Sequence, residues 1–136
     1  MSVAFNHTIV HAHDAAESAQ FFSEMFGLPA PEPFGPFLGV PVAHGATFDF
    51  ITNPDEFAAQ HYAFLVTDAE FDAIYARITE RGLEHWADPH RDEPNQINHH
   101  YGGRGVYWCD PGGHFLEAIT VPYGGWPDGV AYGAVN

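Results

Sequence analysis

Hydrophobic and polar positions follow the same order in two stretches of the chain. In 7–14 and again in 61–68, a histidine opens a mostly apolar run and an aspartate closes it. Each stretch continues into apolar residues at helical spacing, which stop at Gly27-Leu28 and at Gly82-Leu83. Glycine directly after the last helical residue is typical of a helix C-cap. The pattern therefore predicts an internal repeat whose unit begins with a strand and a helix.

In the first copy, Asp14 precedes a segment whose apolar residues recur every three or four positions. A short acidic side chain at that point is a common helix N-cap. The stretch from 29 to 41 is too rich in proline for a helix, so it favours short strands and turns. The predicted elements are a strand over 3–13, a helix over 15–26, and strands around 36–42 and 46–52 joined by a turn at 44–45.

The second copy repeats this order and ends in a hairpin. Asp68 is the predicted N-cap of its helix, and a polar, irregular loop over 89–105 precedes the hairpin turn Asp110-Pro-Gly-Gly. The predicted elements are a strand over 60–66, a helix from 68 to 81, a strand over 83–87, and hairpin strands over 106–109 and 114–120.

Each copy is thus a βαβββ unit, and the predicted fold class is α+β. Two such units, related by a pseudo-twofold, are expected to form a curved mixed sheet around a cleft, because side chains alternate between the faces of a strand. We expect a single domain over residues 1–136. Its parts are module one at about 3–53, module two at about 58–121 and a C-terminal tail over 122–136.

Charge and composition exclude several classes of partner. The chain has 18 Asp and Glu against 4 Arg and no Lys, a net charge of -14. So few cations disfavour nucleic acid and anionic membranes. No apolar run reaches the roughly 18 to 20 residues of a membrane helix, and no secretory signal is evident. Since Cys109 is the single cysteine, no disulfide forms within the chain, and a cytoplasmic location is expected.

Candidate metal ligands fall at matching places in the two copies. His7 and His61 open the first strands, and Asp49 and Glu117 each follow a glycine by four residues in the last strands. A lone histidine is more often a core or surface residue. Repetition at the same register changes that balance, since imidazole and carboxylate on neighbouring strands suit a divalent transition metal. We predict His7, His61 and Glu117 as ligands.

The sequence resembles the vicinal oxygen chelate superfamily, which includes glyoxalase I, bleomycin and fosfomycin resistance proteins and extradiol dioxygenases. The resemblance covers nearly the whole chain and rests on four motifs: Asn6-His7-Thr8, Phe21-Phe22 to Phe26-Gly27-Leu28, His61-Tyr62-Ala63-Phe64 and Asp110 to Glu117. It implies metal ligands at His7, His61 and Glu117, with the site shared between modules or across a homodimer. It also implies a small-molecule substrate and a divalent metal ion, Fe(II) being favoured over Zn, Ni or Mn.

The segment 98–117 resembles the extradiol dioxygenase signature, in which a histidine precedes an aliphatic-Tyr pair and a turn leads to the glutamate ligand. By that resemblance, Tyr107 and either His99 or His100 would hydrogen-bond the substrate or oxygen beside Fe(II), with a histidine moving the substrate proton. The resemblance therefore implies an extradiol-type dioxygenase. Its substrate would be a small aromatic or enediol that chelates the metal.

Two other functions remain open. Asp49 lies where glyoxalase I has a fourth metal ligand, which would favour proton transfer by an isomerase or lyase; a solvent-facing or supporting acid is the simpler interpretation. A metal-free protein that sequesters an aromatic antibiotic would not need the three ligands. Aromatic and glycine residues in the tail predict a segment that folds over the cleft, across a dimer partner, or onto its own domain.

Overall fold

Eight strands and two helices form two copies of one βαβββ unit in the computed structural model, which describes residues 2–127. The α+β class and the two-module organisation predicted from the sequence are confirmed. The elements are β1 His7–Ala12, α1 Ala15–Phe26, β2 Glu32–Phe34, β3 Phe37–Pro41, β4 Thr47–Thr52, β5 His61–Leu65, α2 Asp68–Glu80, β6 His85–Trp86, β7 Gly105–Cys109 and β8 Phe115–Ile119.

The first sheet has the strand order β1-β4-β3-β2, with β1 parallel to β4 and the other pairs antiparallel. Helix α1 covers one face of this sheet. Its Phe22 ring lies 5.0 Å from that of Phe48 and 5.6 Å from that of Phe50, both on β4. Because β4 alternates its side chains between faces, Asp49 lies on the face that α1 leaves uncovered.

The second sheet repeats this order as β5-β8-β7-β6, again with one parallel pair, β5 and β8. Leu116 and Ala118 of β8 are buried on one face. Glu117, between them, lies on the other face, opposite Ala63 of β5 and Tyr107 of β7. Cross-strand partners share a face, so the predicted glutamate ligand and Tyr107 lie side by side.

The helix ends follow local side-chain chemistry. Asp14 accepts hydrogen bonds from the backbone N–H of Ala16 and Glu17, and Gly27 ends α1 with φ 67°, both as predicted. The predicted N-cap of α2 is wrong by one residue. Thr67 is the N-cap, with its hydroxyl accepting from the Glu70 backbone N–H at 3.0 Å while the Glu70 carboxylate accepts from the Thr67 N–H at 2.7 Å. This capping box fixes the start of the helix.

Two segments of the first copy depart from the predicted elements. The first strand covers 7–12 rather than 3–13, and the proline-rich stretch, predicted to hold short strands and turns, contains a strand β2 whose bounds were not predicted. Pro33 fits there because β2 pairs only with β3, so this edge strand loses little from the missing N–H. The loop over 89–105 is irregular as predicted, with a 3-10 turn at His100–Gly102.

Two compact units correspond closely to the two copies. One holds the described residues up to Ala58 with Asp110–Gly112, and the other holds Ala59–Cys109 with the described residues from Gly113 onward. The part of the predicted tail at 128–136 lies outside the described residues. No helix within 2–127 is long and apolar enough to cross a membrane.

Candidate functional site

The second unit brings two of the predicted metal ligands together. His61 opens β5 and Glu117 lies in the middle of the neighbouring strand β8. His61 Nε2 is 2.7 Å from Glu117 Oε1. Glu117 is 1% exposed, whereas the imidazole is partly exposed. A buried carboxylate needs a charged or hydrogen-bonding partner, and the exposed edge of His61 connects this one to solvent.

A tyrosine that sequence reasoning did not identify holds the other oxygen of Glu117. The Tyr123 hydroxyl donates a hydrogen bond to Glu117 Oε2 and lies 3.0 Å from the Tyr107 hydroxyl. Since Tyr123 uses its single proton on the carboxylate, Tyr107 donates to Tyr123. The sequence signal for this contact was the aromatic tail, which was expected to fold over the cleft, across a dimer partner or onto its own domain.

Both phenols keep their protons at neutral pH. Burial raises the pKa of Tyr107 far above its usual value, and the hydrogen bond with Tyr123 and the charge of Glu117 raise it further. Burial also raises the pKa of Tyr123, followed by its hydrogen bond to Glu117. A raised phenol pKa extends the protonated form to higher pH. Tyr107 and Tyr123 are therefore hydrogen-bond donors here rather than phenolates.

A pocket of about 320 Å³ opens beside these tyrosines, lined by His100, Tyr101, Tyr107 and Tyr123. Tyr101 has φ 55°, an uncommon backbone conformation for a residue other than glycine. Of the two histidines predicted as alternatives, His100 thus lies at the tyrosine pocket. The lining is aromatic and carries only neutral or histidine polar groups, which suits a planar ligand with hydroxyl substituents.

His99 lines a different pocket, of about 530 Å³, with Arg104 and Asp68 among its other residues. The Arg104 guanidinium donates to Asp72 at 2.7 Å and to Asp68 at 3.1 Å. The hydrogen bond with Asp72, opposed by burial and assisted by Asp68, raises the pKa of Arg104. This arginine is held by two carboxylates, so the pocket offers little attraction to an anion.

The first unit holds the other two predicted ligands at one pocket. His7 opens β1, and its Nδ1 lies 2.7 Å from Asn6 Oδ1. If Nδ1 carries the proton in that contact, Nε2 keeps a lone pair for a ligand. Asp49 is 8% exposed and pairs with Gly39 of β3, where an added Cβ would lie 3.2 Å from Asp49 Oδ1. His7, Asp49 and apolar residues including Phe34 line this pocket of about 370 Å³.

The two units place their candidate ligands equivalently. In the first, His7 pairs with Thr47, and Asp49 lies two residues further on; in the second, His61 pairs with Phe115, and Glu117 lies two residues further on. Over residues 2–127, no three His, Cys, Asp or Glu side chains come together in the arrangement of a metal site. Each unit thus holds one of the predicted histidines and one of the predicted acids.

The His61 and Glu117 pair fits a divalent transition metal on its chemistry. Imidazole nitrogen and carboxylate oxygen are ligands that Zn²⁺ and Fe²⁺ share. Two donor atoms each about 2.0–2.2 Å from one tetrahedral ion lie about 3.4 Å apart, so His61 Nε2 and Glu117 Oε1, which are 2.7 Å apart, have to separate further to hold an ion.

Comparison with known proteins places this geometry in a family. The model of the Glyoxalase/Bleomycin resistance protein/Dioxygenase superfamily matches residues 4–118. The solved structure of Oxidase ChaP-H1 is 56% identical with a TM-score of 0.89, covering 91% of this chain and 100% of that one. Oxidase ChaP-H2 is 47% identical with a TM-score of 0.89, covering 92% and 98%.

A more distant relative is Metallothiol transferase FosB of Lysinibacillus sphaericus (strain C3-41). It is 23% identical over 122 residues, covering 86% of this chain and 82% of that protein. The superfamily match spans both βαβββ units and every predicted ligand. The chain therefore belongs to the Glyoxalase/Bleomycin resistance protein/Dioxygenase superfamily, the vicinal oxygen chelate superfamily that the sequence motifs predicted.

Proposed function

We propose that this protein is a divalent-metal-dependent oxidative enzyme, most suited to Fe(II), of the extradiol dioxygenase type. Its substrate is a small aromatic or enediol with neighbouring oxygen atoms. The observation that carries the proposal is the His61 and Glu117 pair, 2.7 Å apart, in the same unit as a pocket lined by phenols. The 56% identity with a protein named as an oxidase supports oxidation over isomerisation.

The ligand roles follow from the donor atoms. His61 and Glu117 hold the metal, and His7, in the first unit, stays a predicted ligand whose Nε2 is the nitrogen that its contact with Asn6 leaves available. Zn, Ni or Mn would suit the same donors. When bound, a divalent ion of this kind acts as a Lewis acid toward the substrate oxygens and, if it is Fe(II), supplies electrons to dioxygen.

The remaining residues orient the substrate and handle protons. Tyr107, 5% exposed and protonated, presents a phenol at the wall of the pocket. His100 lies at the same pocket, and its imidazole can accept a proton, so it is the candidate to take the substrate's hydroxyl proton. The aromatic side chains offer flat apolar surfaces to the ring of a bound substrate.

The substrate is expected to be neutral or weakly acidic. The net charge of -14 repels polyanions. Arg104 in the same unit is held by Asp68 and Asp72. We also propose a homodimer, which sedimentation velocity at micromolar concentration would test: a single species near 30 kDa is expected, twice the 15.0 kDa chain, and a 15 kDa species would contradict it.

The test begins with metal content. Protein purified without added metal is analysed by mass spectrometry, then loaded anaerobically with Fe(II) and presented with a panel of catechols at an oxygen electrode. Bound iron at one equivalent with oxygen uptake is the expected result. The Glu117→Gln variant is expected to lose metal retention, because it removes the charged ligand, whereas the exposed acid Glu80, as Glu80→Gln, serves as the matched control.

Each other outcome points to a named alternative. Nickel or zinc without oxygen uptake would overturn the dioxygenase in favour of a glyoxalase-like isomerase or lyase. Failure to bind any metal, including after loading, would overturn the metal enzyme in favour of a protein that sequesters an aromatic compound. Full metal retention in Glu117→Gln would show that this site is not the metal site.

A glyoxalase-like isomerase or lyase is the second candidate, and Asp49 is the observation that favours it. This carboxylate is 8% exposed and lines a pocket with His7, as a proton-transferring base or a fourth ligand would. Asp49→Asn is expected to lower oxygen uptake by less than tenfold if Asp49 only shapes the pocket. A loss of about 100-fold or more, alongside isomerase turnover by the unmodified protein, would favour the second candidate.

A further inference from the structure

The two oxygens of Glu117 have different partners. Oε1 faces His61 Nε2 at 2.7 Å, while Oε2 accepts a hydrogen bond from the Tyr123 hydroxyl. A carboxylate that binds metal has the choice of using one oxygen or both. In this arrangement only Oε1 lies on the side of the histidine, so the two oxygens are not equivalent.

The chain brings Tyr123 to this position through a short turn after β8. The Gly125 backbone N–H donates to the Pro122 carbonyl at 2.8 Å. Gly124 and Gly125 have φ of 87° and 86°, a region that favours glycine over other residues. The turn folds the segment back so that a residue six positions after Glu117 reaches its side chain.

Tyr123 does not serve mainly as a core residue. It is 60% exposed, yet its hydroxyl reaches a carboxylate that is 1% exposed. Its ring lies 6.4 Å from that of Tyr101, another exposed tyrosine. The inward contact is therefore made by the polar atom, while most of the ring stays in contact with solvent.

We propose that Tyr123 is a positioning residue for the metal site, which holds Glu117 so that it coordinates through Oε1 alone. This inference rests on the proposed function. Loss of a side chain that hydrogen-bonds to a metal ligand commonly weakens metal affinity by about 10- to 100-fold, because that hydrogen bond fixes the orientation of the ligand before the ion binds. Tyr107 supports the arrangement by donating to the Tyr123 oxygen.

The experiment compares Tyr123→Phe with Tyr101→Phe, a matched variant that loses a phenol at the same pocket without touching Glu117. Dissociation constants for Co(II) are measured by competition with a chromophoric chelator. Tyr123→Phe is expected to bind about 10- to 100-fold more weakly, and Tyr101→Phe within about twofold of the unmodified protein. The melting temperature of metal-free Tyr123→Phe is measured in parallel.

A merely structural role of Tyr123 would leave the visible spectrum of bound Co(II) unchanged, so this spectrum is measured as well. Its intensity falls as the coordination number rises, so release of Oε2 in Tyr123→Phe is expected to weaken the bands. Unchanged affinity and spectrum in Tyr123→Phe would overturn the proposal, as would an affinity loss explained by a metal-free protein that no longer folds. The Glu117→Gln variant distinguishes failure of the Tyr123 proposal from failure of the proposed metal site. If Glu117→Gln also retains Co(II), the proposed metal site is wrong.

Discussion

At the scale of single residues, the buried Glu117 carboxylate lies beside the His61 imidazole, which is partly exposed and which a ligand can therefore reach. Glu117 is almost fully buried, and its hydrogen-bonding partners include the His61 imidazole and the Tyr123 phenol. An imidazole without a proton on the nitrogen facing the carboxylate leaves the negative charge uncompensated, a costly arrangement in a protein interior. A divalent cation between the two donors would remove that cost, which is the physical reason for proposing a metal here.

At the same scale, His99 and His100 are neighbours in sequence with different surroundings. His100 lines the tyrosine pocket, and His99 lines the pocket of Arg104. We expect His100→Ala to lower kcat/KM for oxygen uptake by about 100-fold or more, the usual effect of losing a general base. His99→Ala is expected to change it by less than about threefold, and steady-state kinetics on both variants measure this.

The reverse order of effects would contradict the assignment of the proton acceptor. Metal content of both variants is measured first. If both variants bind the same amount of metal, a difference in their activity reflects substrate binding or proton transfer rather than loss of metal.

At the scale of single elements, each first strand delivers a histidine and each last strand an acid. The parallel pairs β1 with β4 and β5 with β8 place His7 and His61 two residues out of register with Asp49 and Glu117. Because side chains on one face repeat every two residues, histidine and acid share a face in both units. The sequence repeat thus has a direct structural counterpart.

Helix α2 has an N-terminus that a single substitution can test. Thr67 and Glu70 cap each other's backbone N–H groups. Thr67→Ala is expected to lower the free energy of unfolding by about 1 kcal/mol, because it leaves an N–H of the first turn without its acceptor. Urea denaturation followed by circular dichroism measures the change.

Thr67→Ser is the matched control, since serine keeps the hydroxyl and ranks at least as high as threonine at this position. A loss of similar size in both variants would mean that the methyl group, rather than the cap, stabilises the helix.

At the scale of the whole molecule, the proposed metal binding is expected to raise stability. A ligand that binds only the folded state at 100 times its dissociation constant stabilises it by about 2.7 kcal/mol. For a chain of 136 residues, this is expected to raise the melting temperature by roughly 10 °C. Scanning calorimetry with and without excess Co(II) measures the shift.

Glu117→Gln is expected to show a shift below about 3 °C under the same conditions, because it lacks the charged ligand. A full shift in that variant would place the stabilising ion somewhere else on the protein.

Periodicity and capping residues determined the larger part of the fold. Alternating apolar residues, Asp14, Gly27 and the Asp110-Pro-Gly-Gly turn are local signals, and the elements they predicted are observed. The bounds of β2 were not predicted because Pro33 argues against a strand unless that strand lies at a sheet edge, and the local sequence does not show which strand is at the edge. The cap of α2 was misplaced by one residue because Thr67 and Asp68 are both good N-caps.

The sequence by itself determined the chemical types and the register of the candidate ligands, because a repeat with a strand period of two fixes which residues share a face. Only the tertiary structure decided which groups meet. Strand pairing brought His61 to Glu117, and the turn after β8 brought Tyr123 to the same carboxylate. The conformation of the loop placed His99 and His100 in the linings of different pockets. Such contacts depend on how separate segments of the chain pack against one another, and a local pattern of residues does not predict that packing.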